Sequence, residues 1–269
     1  MAPEAKVTAA TLRARKGTGE RIAVLTAYDV VFARLADGAG IDVVLVGDSL
    51  GMVVQGERST LAVTLDEMVY HSRIVARGIT RAHLVADMPF MSYQASIEDG
   101  MRSAGRLIKE GHAEAVKLEG GVEVAELCRR LVRAGIPVMG HVGLTPQSIH
   151  QLGGFKVQGR TDAQRTQILE DARALSEAGA YAVVLEAIPH ALAGEITHAV
   201  PALTIGIGAG ADCDGQVMVM HDLLGLQPSW KPRFVRRYAE LGKAAGEAFA
   251  AYAADVRAGT FPAAEETYE

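Results

Sequence analysis

Four short apolar runs, far apart in this chain, each stop at a carboxylate: Asp48 in VVLVGDS, Asp87 in HLVADMP, Glu119 in AVKLEGG and Glu186 in YAVVLEA. Acids gathered in one cavity repel each other, and burying them together is costly unless a metal ion or a shared proton joins them. The set offers oxygen donors with no His-x-x-x-His or paired-Cys pattern, so it suits a hard ion that retains water, Mg²⁺ rather than Zn²⁺. Lys117 stands two residues before Glu119 on the same run. In an extended strand that spacing turns both side chains to one face. An ammonium beside a metal suits an anionic, carboxylate-bearing substrate.

Each residue also has a plainer reading. An acid at a strand end often caps the next helix or pairs within a loop. Lys117 could do no more than neutralise a neighbouring acid, His141 at the end of PVMGH could be a satisfied core histidine, and Ser49 after Asp48 is ordinary loop chemistry. The recurrence of the pattern at separated positions favours the chemical reading.

The elements that would position these groups follow from periodicity. IAVLTA, VVLVG, HLVAD, AVKLE, PVMGH, YAVVLE, LTIGIG and QVMVMH read as buried strands, and they alternate with segments whose apolar residues recur every three to four positions. That is an α/β chain of repeated βα units around a parallel sheet. Its 269 residues match the roughly 250 of a closed (β/α)8 TIM barrel. In such a barrel the ligand lies outside the carboxyl ends of the strands, where all four acids stand.

The segment SIEDGMRSAGRLIKEG presents Ile97, Met101, Ala104, Leu107 and Ile108 on one face, opens on Ser96 and closes on Gly111, where a left-handed residue is expected. VEVAELCRRLVRAG and AQRTQILEDARALSEAG close similarly on Gly135 and Gly179. A leading helix around residues 7 to 16 would cover the barrel's bottom or serve a subunit contact. From Lys231 an Ala-rich helix or helix pair follows, with a polar tail from Phe261. We expect one domain over residues 1–269, a barrel with these two helical additions. GIGAGA at 206 to 211 meets a G-x-G-x-x-A pattern only superficially, because no strand ending in an acid follows about 20 residues later as dinucleotide binding requires. Its glycines fit a tight turn or close backbone approach to a ligand.

Composition narrows the classes further. Hydrophobic residues at 49% and charged residues at 22% argue against extensive disorder. The net charge of −5 and the absence of a long basic cluster make nucleic acid a poor partner. Two cysteines, Cys128 and Cys213, form neither a disulfide framework nor a C-x-x-C pair. No apolar run approaches the ~18 residues of a membrane span, and no secretory stretch opens the chain. The expectation is a cytoplasmic protein without a membrane partner.

Blocks of sequence add a resemblance. LTAYD, VGDSLGMVVQG, STLAVTLDEM, ADMPF, KLEGG, GHVGLTPQS, GGFKVQGR and IGIGAGADCDGQVMVMHDLLG closely resemble, in order, the ketopantoate hydroxymethyltransferase family. The resemblance implies a barrel of the phosphoenolpyruvate/pyruvate superfamily type. It also implies an enzyme that carries a hydroxymethyl group from 5,10-methylenetetrahydrofolate to 3-methyl-2-oxobutanoate, giving 2-dehydropantoate on the way to pantothenate and coenzyme A. A Mg²⁺ site maps onto Asp48 and Asp87, with Glu119 completing it directly or through water. Ser49 and Lys117 match positions that hold the keto acid, His141 a pocket residue and Glu186 the proton acceptor. The implied mechanism is a Mg-stabilised enolate, formed when Glu186 removes the C3 proton, with the loop from Gly51 to Thr64 folding over it. The implied assembly is a homodecamer. Ala62 stands where the family commonly has Pro, and Ala187 where Cys is frequent; neither replaces a proposed ligand. Related lyases and phosphonopyruvate enzymes carry a K-K-C-G-H-type signature that is absent here, and a nucleotide-binding module on GIGAGA is the rival from another class.

Overall fold

The computed structural model describes residues 5–227 and 232–268. Eight parallel strands close into a barrel in sequence order: β1 (Ile22–Thr26), β2 (Val43–Val46), β3 (His83–Asp87), β4 (Ala115–Glu119), β5 (Val138–Gly143), β6 (Ala182–Glu186), β7 (Leu203–Ile207) and β8 (Gly215–Met218). Every run singled out in the sequence contains a strand. Helices Val30–Gly38, Leu65–Ala76, Ile97–Lys109, Ala125–Arg133, Asp162–Glu177 and His190–Ala199 make the crossovers. Between β7 and β8 only residues 208–214 intervene, with Gly208 and Gly210 at φ 62° and 86°. This is the tight turn that the glycines of GIGAGA allow.

The inward face of the barrel changes character along each strand. Period-two alternation turns Val85 and Asp87 inward from β3, Ala115, Lys117 and Glu119 from β4, Met139 and His141 from β5, and Ala182, Val184 and Glu186 from β6. The lower members of these rows, Val85, Ala115, Met139, Ala182 and Val184, belong to one apolar core with Val24, Val43, Leu45, Leu203, Ile205 and Val217. The upper members are charged. A dry floor therefore underlies a polar mouth at the carboxyl ends of the strands. Val7 and Leu12 join the core from the leading segment, so the short helix Ala9–Arg13 covers the barrel's bottom.

Several boundaries differ from the sequence reading. QVMVMH is a strand only to Met218, and Met220–Leu223 is helical. β8 begins earlier, at Gly215, where a Cβ would meet the Ile22 carbonyl oxygen at 2.5 Å. VEVAELCRRLVRAG divides into a 3-10 turn, Val122–Val124, and the helix Ala125–Arg133. Gly135 and Gly179 take the expected left-handed conformation, but at the end of helix Ile97–Lys109 it is His112, φ 58°, that does so. The reason is a wider final turn, in which Gly111 N–H reaches back to Arg106 and Ala113 N–H to Leu107. Gly111 is needed instead for close packing, since its Cβ would lie 2.6 Å from the Leu107 carbonyl oxygen.

By contact, the chain divides into two compact units, Met1–Val219 and Met220–Glu269. In the second, residues 232–240 form no helix and Leu241–Ala258 is one helix rather than a pair. Lys231, where that helical reading began, lies outside the described residues. None of the helix's side chains is buried. Among the described residues no helix is long and apolar enough to cross a membrane.

The start of β3 is pinned by one acid. Asp37, in helix Val30–Gly38, accepts hydrogen bonds from Thr80 N–H (2.9 Å), the Thr80 hydroxyl (2.7 Å), Arg81 N–H (3.0 Å) and Ala82 N–H (2.6 Å). Burial alone would raise its pKa, but these bonds, that from Ala82 foremost, hold it below the usual carboxylate range. A lowered pKa stabilises the fold above the unfolded value of about 3.9, and the contribution disappears as pH falls through the folded value. Asp37→Asn should therefore cost about 2 kcal/mol at pH 6, with the gap to wild type closing below about pH 4. Denaturant titrations at both pH values check this, and a gap independent of pH would contradict it.

Candidate active site

Strand register assembles most of the site. Asp87 pairs with Lys117 across β3 and β4, Glu119 with His141 across β4 and β5, and Gly143 with Glu186 across β5 and β6. Asp48 reaches the same mouth by a different route, because it lies past the end of β2. A Cβ on the preceding Gly47 would sit 2.7 Å from Ser49 Oγ and 3.6 Å from Asp87 Oδ2. Glycine there leaves the room that lets the chain turn beside Asp87. Asp48 N–H donates to Asp87 Oδ2 at 3.0 Å, and the Ser49 hydroxyl lies 2.9 Å from that of Tyr28.

The charged groups form a chain of contacts. Lys117 Nζ is 3.0 Å from Asp87 Oδ1 and 3.3 Å from His141 Nδ1. His141 Nδ1 is 3.4 Å from Glu119 Oε1, and its Nε2 is 3.1 Å from Glu186 Oε2. The last contact is close enough for ion pairing but is not aligned as a hydrogen bond. Asp48, Asp87, Lys117, Glu119 and His141 are all buried. Glu186 is more open, with its side chain 17% exposed.

Burial and mutual charge set the protonation. Burial, then the neighbouring Asp87 and Glu119, push Asp48 well above the usual carboxylate range. Burial also raises Asp87, against the pull of Lys117. Glu119 is held low despite its burial by His141 and Lys117. Burial and Lys117 both oppose a charge on His141, yet its contacts with Glu119 and Glu186 outweigh them and lift it to about 9. Lys117, buried among Asp87, Glu119 and Asp48, stays firmly protonated.

All seven residues expected from the sequence thus come to one end of the barrel, with Ser49 at the edge of the group. The sequence reading missed Gln147 and Tyr93. Gln147 Nε2 donates to Asp48 Oδ2 at 2.9 Å, and its backbone N–H donates to Glu119 Oε2 at 2.9 Å. The Tyr93 hydroxyl accepts from Glu119 N–H at 3.0 Å and lies 2.9 Å from Gln147 Oε1. Gln147 stood in the quoted block GHVGLTPQS, but an uncharged residue in a turn carries no chemical signal by itself. A cavity of about 230 Å³ opens beside the cluster, with Phe90, Tyr93, Glu119, Gln147 and Asp171 among its walls.

The donor set fits a divalent cation. Asp48, Asp87, Glu119 and Glu186 face one ammonium and one imidazole, so the fully ionised group carries excess negative charge. The raised pKa of Asp48 is the local sign of that excess. Among the described residues no group of three or more His, Cys, Asp or Glu side chains is set to hold a metal ion. An ion here would take few protein oxygens and keep several waters, as Mg²⁺ does.

Three comparisons bear on this geometry. Residues 6–264 match a family model described as ketopantoate hydroxymethyltransferase. The chain is 58% identical to 3-methyl-2-oxobutanoate hydroxymethyltransferase of Syntrophotalea carbinolica, over 97% of this chain and 98% of that protein. It is 56% identical to the enzyme of that name from Moorella thermoacetica over the full length of both. Among solved structures, 2,3-dimethylmalate lyase, a PEP mutase/isocitrate lyase superfamily member, superposes with a TM-score of 0.61 at 18% identity, covering 96% of this chain and 90% of that one. Phosphonopyruvate hydrolase in complex with oxalate and Mg²⁺ does so with a TM-score of 0.61 at 13% identity, covering 96% and 93%. These two likenesses show the barrel fold.

The buried pair gives a direct check on the electrostatics. Removing one partner of such a pair strands the other charge. Lys117→Met should destabilise the metal-free protein by about 3 kcal/mol at pH 7, and by less at pH 5, where the orphaned acids take up protons. Equal stability of variant and wild type at pH 7 would show that Lys117 does not offset the charge of these acids.

Proposed function

Because the chain belongs to the ketopantoate hydroxymethyltransferase family, we propose that it moves a one-carbon unit from 5,10-methylenetetrahydrofolate to 3-methyl-2-oxobutanoate, giving 2-dehydropantoate for pantothenate and coenzyme A synthesis. The observation that carries the substrate assignment is the 58% identity, over 97% of the chain, to a relative named for that activity. The buried acids and Lys117 support the same reading, because they suit a metal and an anionic keto acid. The proposal includes Mg²⁺, which the oxygen donors and the family both suggest, a cytoplasmic location, inferred from composition and cysteine usage, and assembly into a decamer, inferred from the family.

In this reading Asp48 and Asp87 hold Mg²⁺, with Glu119 completing its surroundings directly or through water. Bound there, the ion supplies Lewis-acid stabilisation of the charge that gathers on the carbonyl oxygen of the 2-oxo acid. Lys117 offsets the carboxylate charge of the substrate, and Ser49 helps fix its orientation. His141, between Glu119 and Glu186, keeps the Glu186 carboxylate turned into the mouth. Glu186 then takes the C3 proton, a carbon acid too weak for a carboxylate without such electrostatic help. Water adds to the methylene carbon and its bonds to the folate nitrogens break, so tetrahydrofolate leaves and the one-carbon unit is freed at the aldehyde level. The carbon nucleophile then adds to that carbon, and its oxygen takes the proton back from Glu186 to become the hydroxyl. In this reading the segment from Gly51 to Thr64 excludes bulk water from the reacting carbon.

Purified protein should convert 3-methyl-2-oxobutanoate and methylenetetrahydrofolate to 2-dehydropantoate, and exhaustive chelation should abolish the reaction until Mg²⁺ is restored. Full activity after chelation would remove the metal from the proposal, and no product under any condition would remove the reaction. Glu186→Gln should bind the keto acid with little change yet slow exchange of the C3 proton with deuterated water at least about a hundredfold. Exchange at the normal rate, followed by NMR, would take the role of base away from Glu186.

A further inference from the structure

We propose that Gln147 is a positioning residue for Asp48: its side chain grips one carboxylate oxygen and leaves the other turned toward the cation site. This rests on the metal reading above and adds what arranges the ligand.

Gln147 lies in the 3-10 turn Pro146–Ser148 after β5 and is 6% exposed. Every polar atom of its carboxamide is engaged. Nε2 donates to Asp48 Oδ2 and to the Met88 carbonyl oxygen, both at 2.9 Å. Oε1 accepts from Gln94 Nε2 at 2.9 Å and lies 2.9 Å from the Tyr93 hydroxyl. An amide has one acceptor end and one donor end. Flipped, it would set its oxygen against a carboxylate and a carbonyl, and its N–H groups against the Gln94 amide. Four neighbours therefore fix the donor end on Asp48.

The consequence appears when the carboxylate oxygens are followed one by one. Asp87 meets Lys117 through Oδ1 and Asp48 N–H through Oδ2. Glu119 meets His141 through Oε1 and the Gln147 backbone N–H through Oε2. Asp48 meets Gln147 through Oδ2, and among the described residues no donor meets Oδ1. The least engaged oxygen of the three acids is thus aimed by a neutral side chain. A neutral donor orients the carboxylate without adding a charge, so its attraction for a cation is preserved. A lysine or arginine here would orient it equally well while cancelling that attraction.

The test uses the full-length protein freed of metal, with Mg²⁺ alone as the probe in calorimetry. Substitution of residues that orient metal ligands typically costs ten- to a hundredfold in affinity. Gln147→Leu should weaken Mg²⁺ binding at least about tenfold, and a metal-free crystal structure of the variant should show the Asp48 carboxylate in a changed orientation. Gln147→Met, closer in volume, carries the same expectation should the leucine variant fail to fold. Unchanged Mg²⁺ affinity in a folded variant, or an Asp48 side chain that keeps its place, would overturn the proposal. Failure of the wild type itself to bind Mg²⁺ would sink the metal reading instead, while the orientation of Asp48 in the variant would still decide whether Gln147 positions it.

Discussion

The structure turns on an unbalanced set of buried charges. Asp48, Asp87 and Glu119 sit almost without solvent above an apolar floor of Val85, Ala115, Met139 and Val184, and Lys117 and His141 are the cations among them. A low-dielectric surrounding strengthens both the repulsion among the acids and the attraction to Lys117. The opposed directions in which Asp48 and Glu119 are pushed follow from which acid has the cations beside it. Such a site is costly to fold empty, and the same excess of negative charge suits it to a divalent cation. The chemistry and the strain on stability have one source.

Barrel closure is what makes this arrangement possible. Each inward row runs from apolar to charged as it climbs its strand, so the charge is confined to one end and the rest of the interior packs dry. Register then turns sequence-distant residues into neighbours, as with Asp87 and Lys117 or Glu119 and His141. Glycines serve this at particular points. Gly143, at φ 95°, lies where a Cβ would clash with the Glu186 carbonyl oxygen, so β5 and β6 can approach closely just where the least buried of the four acids leaves the sheet. Gly47 does the corresponding service for Asp48.

Much of the site was legible because it uses charged residues at the ends of apolar runs, and charge after hydrophobicity is a local signal. Lys117 and Glu119 could be put on one face of their strand from periodicity alone. Asp48 is out of step with that periodicity, and only the turn after Gly47 brings it inward. His141 was ambiguous for a good reason: it is buried like a core histidine, and its contacts with Glu119 and Glu186 give it an electrostatic role that no neighbouring residue in sequence reveals. Gln147 and Tyr93 carried no signal, since their work lies in bonds to groups 26 to 99 positions away, such as Glu119 and Asp48. Boundaries failed where close packing governs, as at Gly111, whose small size fits the approach to Leu107 while His112 turns left-handed.

By itself the sequence determined the strands, the helices that return between most of them, the closed parallel architecture they imply, the acids at the strand ends and the family. These depend on alternation, residue type and contiguous blocks, which are properties of short stretches. Only the tertiary structure decided which oxygen meets which donor, which acid is pushed up and which down, and which carboxylate stays open to the mouth. Those outcomes depend on distances of about 3 Å between residues far apart in the chain, and such distances are fixed by closure, register and the turns beyond the strands.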